Sequence, residues 1–181
     1  SATGIASGGF QNTYGGGTNY GDAYLVKFNA TTGTRIWATY YGGTGWGEEV
    51  SWDGLATDAA GNVYLAGDTY SINTGNVIAT GGFQNSLVGL ENEFLVKFDP
   101  NGNRLCATYF GLQHEEQGIV AVDDAGNVYL AGYTPTPAGI ASGGFQNTYG
   151  GGLNDAYLVK FGLTLTATST NINCNRVCIG T

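Results

Sequence analysis

Methionine is absent from this chain, histidine occurs once and proline only three times in 181 residues. Basic residues are scarce too: six Lys and Arg stand against fourteen Asp and Glu, a formal charge of −8. That balance argues against nucleic acid and anionic membrane as partners, because both are held by clustered cations. No apolar run approaches the roughly 18 residues of a spanning helix, so no membrane insertion is expected. No long stretch repeats its apolar residues every 3.6 positions, so almost no helix is expected either. A lone histidine starves both metal and triad chemistry. His114-Glu115-Glu116-Gln117 lacks the second histidine of a zincin, and there is no Gly-x-Ser-x-Gly elbow. The chain opens on Ser1 with no signal peptide, and reads as processed or excerpted.

What is abundant is glycine, at 32 residues, with 12 Tyr and 8 Phe. Glycines spaced among aromatic and β-branched runs predict short strands joined by tight turns. The strands recur. Asp22-Ala23-Tyr24-Leu25-Val26-Lys27-Phe28 returns as Glu93-Phe94-Leu95-Val96-Lys97-Phe98 and as Asp155-Ala156-Tyr157-Leu158-Val159-Lys160-Phe161. Arg35-Ile36-Trp37-Ala38-Thr39-Tyr40-Tyr41 returns as Arg104-Leu105-Cys106-Ala107-Thr108-Tyr109-Phe110. Two further strands, around Leu55 and Tyr64, return around Val120 and Tyr129. Four strands per repeat is a blade-sized unit, and strands apolar on both faces imply sheets stacked face to face. The stretch GIASGGFQNTYGGG occupies residues 4–17 and again 139–152, with a shortened copy at 79–85. It is the long connection that precedes each Leu-Val-Lys-Phe strand. Phe10, Phe83 and Phe145 are expected to pin it to its blade.

The run DAYLVKF…GTRIWATYYGG…ATDAAGNVYLAGDT…GGFQN resembles the bacterial β-propeller repeats called SBBP repeats, over roughly residues 8–161. Its strands are also similar to those of NHL-type propellers, where the Gly-Asn-Val-Tyr strand is second in its blade. The resemblance implies an all-β fold of consecutive four-stranded antiparallel propeller-type blades. The chain would hold the last two strands of one blade, a whole blade and the first three strands of another. About two and a fraction blades make an incomplete ring, since closure takes about four or more. The rest is expected from further blades of the same polypeptide or from neighbouring chains. Residues 162–181 form a linker and the start of a following module, whose ATSTNINCNRVCIGT resembles the opening of SprB-type adhesin repeats of gliding Bacteroidota. That likeness implies a long secreted or cell-surface parent, exported by type IX secretion machinery.

Candidate binding residues are Trp46, Glu48, Glu49, His114, Glu115 and Glu116. The pairs Glu48-Glu49 and Glu115-Glu116 follow equivalent loops, and paired carboxylates can do acid/base work or hold Ca²⁺. A feature that recurs from blade to blade is more often architectural, so no catalytic residue, no metal ligand and no required cofactor is assigned. Exposed rings such as Trp46, Tyr20 and Tyr70 can stack on glycans or on surface proteins. Cys106 fills the slot of Trp37 and reads as a small buried thiol. Cys174 and Cys178 suit a short-loop disulfide outside the cell, with a zinc pair as the rival reading.

The function expected is a non-enzymatic extracellular scaffold or adhesin segment that binds through its blade loops. Two alternatives remain: the propeller portion of a secreted carbohydrate-active or lyase-type enzyme, and a self-assembling ring or filament subunit.

Overall fold

The computed structural model describes residues 4–161; the module expected over 162–181, with Cys174 and Cys178, lies outside them. Nine strands form three antiparallel sheets. β1 (Ala23–Phe28) pairs with β2 (Arg35–Tyr41). The middle sheet runs in order β3 (Glu48–Thr57), β4 (Val63–Thr69), β5 (Asn92–Phe98), β6 (Arg104–Phe110). The third holds β7 (Glu116–Val122), β8 (Val128–Thr134) and β9 (Asp155–Phe161). Only a 3-10 turn, Thr74–Asn76, interrupts the β-structure, and no helix among the described residues is long and apolar enough to cross a membrane. The chain is all-β, and its strands group as two, four and three, as the repeat phase implies.

β3 begins earlier than expected. It is paired with β4 at Glu48–Val50, breaks register, and resumes at Leu55. Gly54 sits in the break because a Cβ there would collide with the Ala66 carbonyl.

The hairpin turns follow one plan. Asp58 Oδ1 accepts from the amides of Ala60 (3.1 Å) and Asn62 (2.9 Å), and its Oδ2 accepts from Asn62 Nδ2 and the Tyr64 hydroxyl. Asp123 repeats all four bonds with Ala125, Asn127 and Tyr129. Asp99 repeats the three local ones with Asn101 and Asn103, which leaves the turn no need of calcium. Each carboxylate closes its turn as an Asx motif. Asp58→Ala should therefore cost about 1 kcal/mol, read as a lowered urea midpoint at unchanged m-value.

The sheets stack face to face. Ala23, Leu25, Trp37 and Tyr41 of the first sheet pack on Leu65, Phe94, Val96 and Phe98 of the second. Tyr64, Ala66, Leu95 and Phe110, on the other face of that sheet, pack on Val128, Leu130, Tyr157 and Phe161 of the third. Each junction brings a face of one kind against a face of the other kind. Aromatic contacts repeat with it: Tyr41–Phe94 at 5.1 Å and Phe110–Tyr157 at 5.2 Å between ring centroids. A carbonyl locks the first junction, where Pro100 O accepts from Lys27 Nζ (2.8 Å) and Trp37 Nε1 (3.0 Å).

Among the described residues the outermost faces of the stack are open. Tyr24 is 61% exposed, whereas its repeat equivalents Phe94 and Tyr157 are 0% and 8%. At the opposite end Leu158 is 71% exposed, against 8% for both Leu25 and Leu95.

The repeated connection fastens to its sheet through strands β2 and β6. Ser7 and Gln11 bridge Ala38 and Tyr40; Thr80 and Gln84 bridge Ala107 and Tyr109. Gly9 and Gly82 permit this, since a Cβ at either would strike Thr39 or Thr108. Phe10 then reaches Tyr41 (6.4 Å) and Phe83 reaches Phe110 (6.3 Å). Phe145 departs from the anchoring role: it is fully exposed. Among the described residues no strand lies beyond β9 to receive its loop.

Candidate functional site

Antiparallel pairing sends all hairpin turns to one end of the strands and every sheet-to-sheet crossover to the other. The crossover end gathers the connections 42–47, 70–91, 111–115 and 135–154. All six candidate binding residues lie there or at the first residues of β3 and β7.

Two of them turn inward. Glu48 is buried, accepting from the Thr69 hydroxyl (2.9 Å) and the Gly43 amide (3.2 Å). Burial, opposed by those bonds, pushes its carboxyl up to about 7. Glu115 is buried too and accepts five bonds: from the amides of Leu112 and Gln113, Asn92 Nδ2, and the hydroxyls of Thr134 and Thr136. Both carboxylates therefore shape the loop that precedes them and offer nothing at the surface. Glu49 is exposed and lies opposite Asp68 across the β3–β4 pair, while Glu116 opens β7 opposite Tyr133.

Trp46 and His114 belong to a different arrangement. Trp46 stands 5.8 Å from Tyr70, and Tyr20 stacks on Tyr70 at 5.9 Å with planes 13° apart. Behind them Glu91 is buried, and its Oε2 lies 3.0 Å from His114 Nε2. Burial first, then the hydrogen bond to Glu91, pushes the Tyr70 hydroxyl pKa up. An aromatic row thus runs into a carboxylate–imidazole pair. The pattern of candidate residues caught its ends and missed Glu91, which stands where the first repeat has Gly21. Setting the repeats side by side and marking the misfits would have found it.

Glu93, where the other repeats carry Ala23 and Ala156, is a second such misfit. It lies directly opposite Asp68 on the neighbouring strand, and neither of its oxygens has a hydrogen bond of normal geometry.

Cys106 is half-buried, less enclosed than the small buried residue expected at the slot of Trp37. Among the described residues, no group of three or more His, Cys, Asp and Glu is placed to hold a metal ion. No protein-family profile matches the chain, and no curated protein is significantly similar to it.

Proposed function

We propose that this chain is a non-enzymatic scaffold segment of a larger extracellular protein with SBBP-like propeller blades, displaying its crossover loops for binding. One observation carries the reading: the bare face at each end is of a kind that the same chain buries elsewhere. Tyr24 and Phe28 present at one end what Phe94 and Phe98 present to a neighbouring sheet, and Leu158 presents at the other what Leu95 presents. Such a head-to-tail series is completed by further sheets, not by water. The carboxylates of Glu48 and Glu115, engaged in loop bonds, support binding over catalysis.

Light scattering on residues 1–181 tests this. The isolated chain should associate as concentration rises and bind a hydrophobic dye, and Tyr24→Lys combined with Leu158→Lys should restore a monomer. A monodisperse, dye-silent monomer at every concentration would overturn the proposal.

A further inference from the structure

We infer that Trp46, Tyr70 and Tyr20 form a stacking platform for a neutral polysaccharide, with the His114 imidazole, held from behind by buried Glu91, as its polar flank. This names the ligand class of the loop-binding reading above and rests on it. Trp46 and Tyr20 are each more than half exposed, in polar, glycine-rich connections.

The platform is not demanded by the architecture. At the equivalent positions of the next repeat stand Leu90, Gln113 and Pro135, none of them aromatic. The second junction forms without any such row. Three rings brought together once, at the surface, need a reason other than stacking the sheets.

They are also held in advance. The amides of Asn19 and Tyr20 both donate to the Trp46 carbonyl at 3.0 Å, and Thr18 N donates to Gly45 O at 3.1 Å. Tyr70 N donates to Gly47 O, and Gly45 N donates to Ser71 Oγ. The backbones that carry all three rings are thus tied through one loop, so a ligand finds them ordered and loses little affinity to fixing them.

Chemistry selects the ligand. Flat ring faces suit the C–H face of a pyranose, and the part-exposed His114 imidazole beside them suits its hydroxyls. A net charge of −8, with Glu49 exposed nearby in sequence, opposes an anionic polymer.

Affinity electrophoresis of the full chain tests the platform. The gels would contain soluble β-glucan, xylan or mannan, with polygalacturonate and poly-L-proline as separate arms. At least one neutral polysaccharide should retard the chain. Trp46→Ala and Tyr70→Ala should each weaken that retardation about tenfold or more, while Trp52→Ala, an exposed ring on β3, leaves it unchanged. Circular dichroism keeps the variants honest, and Tyr20→Ala, at an exposed loop ring, serves if Tyr70→Ala unfolds. Retardation by none of the neutral polymers, by polygalacturonate or poly-L-proline alone, or undiminished in Trp46→Ala, would each overturn the assignment. Because the scaffold reading is judged by association state, either can fail without the other.

Discussion

Phe94→Ala is expected to cost about 3–5 kcal/mol, while Tyr24→Ala, at the same position of the preceding repeat, costs under about 1 kcal/mol. Phe94 is fully buried between the first two sheets, in ring contact with Tyr41, and no backbone movement there can refill the space of a lost ring. Tyr24 points the same way from its sheet, but it follows Ala23 where Phe94 follows Glu93, it lies on the edge strand β1, and among the described residues no sheet packs on it. The difference therefore measures what a second strand neighbour and a facing sheet together add at this position. Urea denaturation of both variants at equal protein concentration, low enough to keep the chain monomeric, is the measurement. Equal losses would mean that the stack contributes little and each sheet stands alone. The comparison also gives the scaffold proposal a second handle: a longer polypeptide that supplies the sheet facing Tyr24 should raise the cost of Tyr24→Ala toward that of Phe94→Ala.

The same pair of residues shows why the fold was legible and the site only partly so. Strand identity and turn chemistry are written locally, in Leu-Val-Lys-Phe runs and in Asp…Gly-Asn turns that recur with their bonds intact, whereas the grouping into two, four and three strands was implied by the likeness to NHL-type blades. Repetition multiplies such signals. Burial of Glu48 and Glu115 depends instead on Thr69 and Thr134, about twenty residues away along the chain, whose hydroxyls reach back across a loop. An acidic pair after a glycine-rich loop looks the same in sequence whether it faces water or its own backbone. Phe145 was misread for the opposite reason. Its sequence matches Phe10 to the letter, and its environment differs because the strand that would hold its loop is not among the described elements. Glu91 and Glu93 were invisible because attention to what repeats passes over what does not.

Glu93→Gln should stabilise the fold by about 1–3 kcal/mol wherever the carboxyl would be ionised, and remove the loss of stability that its ionisation brings. Burial, then the charge of Asp68, holds the Glu93 carboxyl well above its ordinary value of 4.5. Tyr157 faces it from β9, with its hydroxyl pKa pushed up by burial and by Glu93 itself. Two carboxyls directly opposite on β4 and β5, inside a sheet junction, cannot both ionise cheaply. A carboxyl whose folded pKa exceeds its unfolded one binds more protons in the fold, so stability falls as pH climbs from the unfolded value to the folded one. Glu48 adds a slope of the same sign, but confined between 4.5 and about 7. Asp22, whose carboxyl burial also holds up, adds a further slope of that sign, so the Glu93 share is whatever part of the slope the amide removes, while the Glu48 portion persists. The amide can also donate to Asp68, which the carboxylate cannot. Midpoints of urea unfolding from pH 5 to 9, for the parent and for Glu93→Gln, decide the matter: a slope unchanged by the amide would mean that Glu93 ionises freely within the junction, and that the stack tolerates a charge its packing leaves no room to solvate.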